Sequence, residues 1–140
     1  MTRGFQLGGL TPVVLLLCAV SLVPAAAKVP LAEEQHINES LLAVAVADKV
    51  RNTCPDMYAR MVTFYFKAKA LEKYARKLGY TEEEVEVFLD DQAEKARVNG
   101  LAQAYMAERG VVEGDSQSYC RLGRAEIAAE SLIGSLLGEK

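Results

Sequence analysis

The chain has 140 residues, 51% of them hydrophobic and 25% charged, with a net charge of −3 at pH 7. That is room for one ordinary domain, too apolar for a disordered chain and too acidic to favour nucleic acid or an anionic membrane surface. A single His (His36), three Cys and no Trp leave little material for a His- or Cys-ligated metal centre, and no cofactor is expected.

Residues 1–27 have the build of a cleaved export signal. Arg3 gives a basic start, residues 10–23 form an apolar stretch, and Ala25-Ala26-Ala27 offers small residues at the cut. The stretch is interrupted by Pro12 and falls short of the roughly 20 residues of a spanning helix, so no membrane span is expected after processing. Leu16-Leu17 ahead of Cys18 lacks the small residue that lipid attachment requires, so Cys18 is expected to leave with the signal. Processing removes Arg3 and no acidic residue, which takes the net charge from −3 to −4 and retains Cys54 and Cys120. In the oxidising compartment that export implies, such a pair closes, and a Cys54–Cys120 disulfide is expected.

Residues 28–37 carry Pro30 and mixed charges without periodicity and read as an extended arm, leaving 38–140 as a single helical domain. Asn38 suits the N-cap of a first helix to about residue 52, whose Leu41, Leu42, Val44, Ala45 and Val46 make it apolar nearly all round and therefore central. Thr53-Cys54-Pro55 is expected to open a second helix, Pro being tolerated in a first turn. Met57, Met61, Phe64, Ala68, Leu71, Ala75 and Leu78 then recur in an unbroken heptad seam.

Gly79 offers the left-handed stop, and Thr81 with Glu84 a capping box. A third helix over 82–108, continuous through Gly100, would lay its stripe of Val85, Leu89, Ala93, Ala96, Gly100, Ala104 and Ala107 antiparallel on that seam. Lys67, Lys69, Lys73, Arg76 and Lys77 would then pair across the turn with Glu82, Glu83, Glu84 and Glu86. Asp115 caps a fourth helix to about residue 129, and no strand-like alternation is present. The expected fold is all-α: a small elongated bundle of about four helices built on a long antiparallel hairpin and stapled by one disulfide.

Catalytic patterns are sparse. Gly114-Asp115-Ser116 has the opening of a hydrolase nucleophile block, but the lone His36 lies far upstream, so a turn and an Asp cap are expected there. Glu83, Glu86, Asp90 and Glu94 share a helical face, yet a straight helix has no backbone carbonyls to complete a cation site, and a solvated acidic face is expected. Arg121 and Arg124 are the one basic pair to nominate for an anion, with Glu126 as a neutralising surface neighbour. Tyr58, Tyr65 and Phe66 lie off the seam and could present aromatic surface to a partner. The apolar run 131–137, with Leu132, Ile133, Leu136 and Leu137, either docks into a partner or folds back on the bundle.

The runs His36-Ile37-Asn38, Ser40-Leu41, Cys54-Pro55, Tyr74-Ala75 with Gly79-Tyr80, Ser118-Tyr119-Cys120-Arg121-Leu122-Gly123 and the tail 131–137 resemble a family of short exported alphaproteobacterial proteins catalogued only as a domain of unknown function. The resemblance covers the whole mature chain and implies a periplasmic setting without an assigned activity. The expectation is therefore a non-catalytic periplasmic helical protein that binds another envelope protein. An acid- or stress-responsive periplasmic chaperone is the alternative, suggested by the many carboxylates that acid would neutralise. A small ligand carrier or unrecognised enzyme is the third.

Overall fold

The computed structural model describes residues 28–140; the export signal expected over 1–27 lies outside the described residues. A 3-10 turn at Leu31–Glu33 leads into helix α1, Gln35–Thr53. A short strand β1, Met57–Ala59, is followed by helices α2, Met61–Lys77, α3, Glu82–Asp90, α4, Gln92–Glu108, α5, Ser116–Ala128, and α6, Leu132–Ser135. Strand β2, Leu137–Glu139, ends the chain and pairs antiparallel with β1, placing Met57 opposite Glu139 and Ala59 opposite Leu137. The all-α class and the Cys54–Cys120 disulfide are as expected, with six helices in the bundle rather than about four.

Helix α1 is the axis. Ile37, Ala43, Val46, Ala47 and Val50 are buried along it, and α4, α5, α6, β1 and the 3-10 turn all pack against it. The run 41–47, apolar without interruption, permits this, while the charged Glu39, Lys49 and Arg51 stay exposed toward its ends. The main core joins Val46 and Val50 to Ala102 and Met106 of α4, to Cys120 and Leu122 of α5 and to Ile133, Leu136 and Leu137. A smaller cluster gathers Leu31, Ile37, Ala75 and Tyr80.

The ends of α1 differ from expectation. Its N-cap is Glu34, whose Oε2 accepts from the Ile37 N–H at 2.8 Å. Asn38 lies inside the first turn, where its Nδ2 donates to the carbonyls of Leu31 and Glu34 and welds the 3-10 turn to the helix. Residues 28–34 are thus tied down: Lys28 Nζ donates to the Gly79 carbonyl and to Glu84, Tyr80 Oη donates to the Val29 carbonyl, and Leu31 is buried. At the other end, Cys54 closes α1 instead of opening α2. Its backbone is extended, as a residue before proline prefers, and Pro55 and Asp56 turn the chain into β1.

Gly79 takes φ +88°, and Thr81 and Glu84 form the capping box, both as expected. The helix that follows stops after nine residues. Asp91 is extended, and its Oδ1 accepts from the Glu94 N–H at 2.8 Å, so one residue ends α3 and caps α4. Gly100 sits in mid-helix, and the helix runs through it as expected. The break leaves α3 about 13 Å long beside an α2 of about 25 Å, and α4 packs on α1 instead of on α2.

The expected seam is therefore largely uncovered. Of its residues only Met57, in β1, and Ala75 are buried, while Met61 is 63% exposed. The facing stripe fares likewise: Ala93, Ala96, Gly100, Ala104 and Ala107 all face solvent. Lys–Glu pairing across the turn is replaced by Glu72 bridging Lys69 and Arg76 within α2, and by Glu84 holding Lys28.

Candidate functional site

The uncovered seam borders an open groove of about 490 Å³. Helix α1 contributes Ile37, Leu41 and Val44, α2 contributes Phe64, Ala68, Leu71 and Ala75, and α3 contributes Val85, Phe88 and Leu89. Leu132 and Leu136 close one end. Three helices build it because each has a surplus of apolar residues that the short α3 cannot cover. That size and an apolar lining are what binding clefts have.

Charge is confined to the rim and segregated. On α2 the groove is edged by Lys67, Lys69, Glu72 and Arg76, and on α3 by Glu82 and Glu86. Glu72 accepts from Lys69 at 2.8 Å and from Arg76, and these two cations, Lys69 first, hold its carboxyl below the usual carboxylate range. Among the described residues, Lys67, Glu82 and Glu86 form no ion pair. Ser40 also lines the groove, and its hydroxyl donates to the His36 carbonyl.

The sequence-predicted surface residues divide. Tyr65, 57% exposed, lines the groove with Leu132 and Leu136. Phe66, 66% exposed, meets the Tyr65 ring edge-on at 5.7 Å but lies outside the lining, and so does exposed Tyr58, whose ring sits against Gly138. Ile133 and Leu137 belong to the main core, with Leu136 buried beside them at the groove's end: the tail folds back, and Ile133 and Leu137 are not available to a partner as free surface. Phe64, Leu71, Val85 and Leu89 were assigned by their spacing to an internal seam. Their spacing marks the groove, since an apolar stripe looks the same whether its cover is in cis or absent.

Other candidates resolve into structure. Cys54 and Cys120, with Cα atoms 5.1 Å apart, join the end of α1 to α5. The Asp56 carboxylate lies close enough to them to suggest a metal set, but the sulfurs are bonded to each other, so neither is a thiolate, and Asp56 is paired with Arg124 at 3.1 Å. Arg124 also grips Glu139, and Arg121 meets Asp115, so both arginines are engaged by carboxylates of the chain. Asp115 caps α5 by accepting from the Gln117 N–H, and His36 packs edge-on against Tyr74. The expected acidic face is split between α3 and α4, with Asp90 paired to Lys95 and Glu94 to Arg97.

Glu126 departs furthest from expectation: it is 6% exposed, not a surface neighbour of the arginines. Tyr105 Oη and Ser131 Oγ donate to its two oxygens, and Arg109 stacks over the Tyr105 ring at 3.4 Å with its Nε 3.8 Å from the carboxylate. Burial first, then the bond to Glu126, raises the Tyr105 hydroxyl above its ordinary pKa. No buried side-chain polar atom of this cluster lacks a partner, and it fastens α4, α5 and the start of α6 together.

Fold and groove together define a disulfide-stapled all-α bundle with a long apolar cleft. The chain belongs to a family of unknown function, DUF5333, whose model matches residues 29–138. No curated protein and no solved structure matches it. Among the described residues no helix is long and apolar enough to cross a membrane.

Proposed function

We propose that this chain is a non-catalytic periplasmic protein that binds another envelope protein in the groove between α1, α2 and α3. The carrying observation is that Phe64, Leu71 and Leu89, apolar residues at helical spacing, line a cleft that no other element of the described chain fills. An apolar patch of this kind is a liability unless a partner covers it. The closed Cys54–Cys120 pair supports export to an oxidising compartment, and the build of residues 1–27 supports the route.

The test is site-specific photo-crosslinking in the native envelope, with the reactive group placed at Leu71 or Leu89 in the groove and at Val112, exposed elsewhere, as control. A single protein captured in stoichiometric yield from both groove positions and not from Val112 is the expected result. An unselective set of clients at all three sites would replace this reading with the chaperone, and no adduct from the groove would remove it.

A further inference from the structure

We infer that the groove's occupant is an amphipathic α-helix with acidic residues along one flank and basic residues along the other. This rests on reading the groove as a docking site and goes on to name what docks. The lining follows α2 from Phe64 to Arg76, about 18 Å, or roughly three helical turns. Its walls are helices, whose backbone groups are already bonded, and the Leu136 carbonyl at the closed end accepts from the Arg60 N–H. An extended peptide would leave its own amides unpaired there, whereas a helix arrives with them satisfied and needs only apolar anchors at i, i+3 or i+4, and i+7.

The rim selects between occupants. Its α2 edge carries three cations and one carboxylate, and its α3 edge two carboxylates. An acyl chain with one anionic head would meet attraction at Lys67 and repulsion at Glu82 and Glu86. A second copy offering its α2 would bring Lys67, Lys69, Lys73, Arg76 and Lys77 against a single Glu72, a basic helix that complements only the α3 edge. A helix with flanks of opposite sign complements both.

The experiment uses the protein expressed from the full sequence and purified after export, with fluorescent designed helices that share three leucine anchors. One has an acidic and a basic flank, one has two acidic flanks, one has two basic flanks, and one has alanine anchors. By anisotropy at low salt the mixed-flank helix should bind about tenfold more tightly than either like-flanked helix. The gap should close in high salt. Glu82→Lys with Glu86→Lys should shift preference to the two-acidic helix and Lys67→Glu with Lys69→Glu to the two-basic one, both double variants keeping the parent circular dichroism. Equal binding of all three anchored helices, or no exchange of preference in the variants, overturns the charge assignment. So does tighter binding of palmitate than of any helix, or dimerisation on sedimentation that excludes the helix. If no helix binds while Leu71 still crosslinks a partner, this inference fails and the groove reading stands; if alanine anchors bind as well as leucine, both fail.

Discussion

A Cβ at Gly134 would lie 2.1 Å from the carbonyl oxygen of Glu126, a backbone atom that cannot step aside, whereas one at Gly100 would meet nothing within 4 Å. The two glycines therefore answer oppositely to one substitution. Gly134→Ala should cost more than the 1–3 kcal/mol or so typical of overpacking, because the neighbour is main chain. Gly100→Ala should stabilise by about 0.5–1 kcal/mol, since mid-helix glycine has only its flexibility to lose. Urea melts of the two variants check the pair, and similar shifts would show that α5 and α6 are not in this contact. Between them lies Gly123, whose added Cβ would reach Val50 Cγ1 at 2.9 Å and Met57 Cε at 3.0 Å, side chains that can give a little. Its substitution should fall inside the overpacking range. Glu126 adds a polar counterpart: Glu126→Ala strands the Tyr105 and Ser131 hydroxyls and should cost about 3 kcal/mol in the same assay.

Among the elements, the disulfide closes a span of 66 residues and pins α5 to the axis helix. Reduction, or replacement of both cysteines by alanine, should lower stability by about 4 kcal/mol on chain-entropy grounds, read from melts with and without reductant. The same elements show what can be read locally. Gly79, the Thr81–Glu84 box and the Asp115 cap act through their immediate neighbours and were legible as written. So was the break at Asp91, in retrospect, since Asp91 followed by Glu94 repeats the capping pattern of Thr81 and Glu84. The continuous run of apolar residues on either side concealed it. Strands of three residues are too short to show a two-residue period, and β1 owes its form to pairing with a segment about 80 residues away. The groove was half legible: its residues stood out by spacing, but only tertiary structure decides whether a stripe is covered. Tyr58 and Phe66 kept their exposure without joining the site, while Ile133 and Leu137 proved to be core.

At the scale of the molecule, the segment 28–34 is a strap whose anchor titrates. Lys28 bonds to Glu84, and this bond first, then the Thr81 N–H, holds the Glu84 carboxyl below its ordinary pKa. A carboxyl lowered in the folded state stabilises fully above the unfolded value of about 4.3 and loses that contribution as pH falls through the lowered one. Acid should therefore loosen the strap at Lys28, leaving the Gly79 carbonyl, the Tyr80 hydroxyl and buried Leu31 to hold it. Amide shifts of residues 28–34 and of Tyr80 followed by NMR should titrate together at a pH below the ordinary carboxylate range, and Glu84→Gln should remove the transition. Titration at the ordinary carboxylate value in the parent would show that Lys28 is not the anchor.

The pairing of β1 with β2 also sets an order of events in time. On the proposed export route the chain would release α1 first, with its apolar stretch 41–47, while Leu137 and the rest of β2 come last. Residue 57 must wait for residue 139. Deleting residues 136–140 should accordingly abolish cooperative melting rather than trim a loose end, as a thermal scan of the truncated protein would reveal. On that route, until the final residues cleared the exit the core would lack Ile133, Leu136 and Leu137, and sheltering the emerging axis helix would fall to whatever receives the chain.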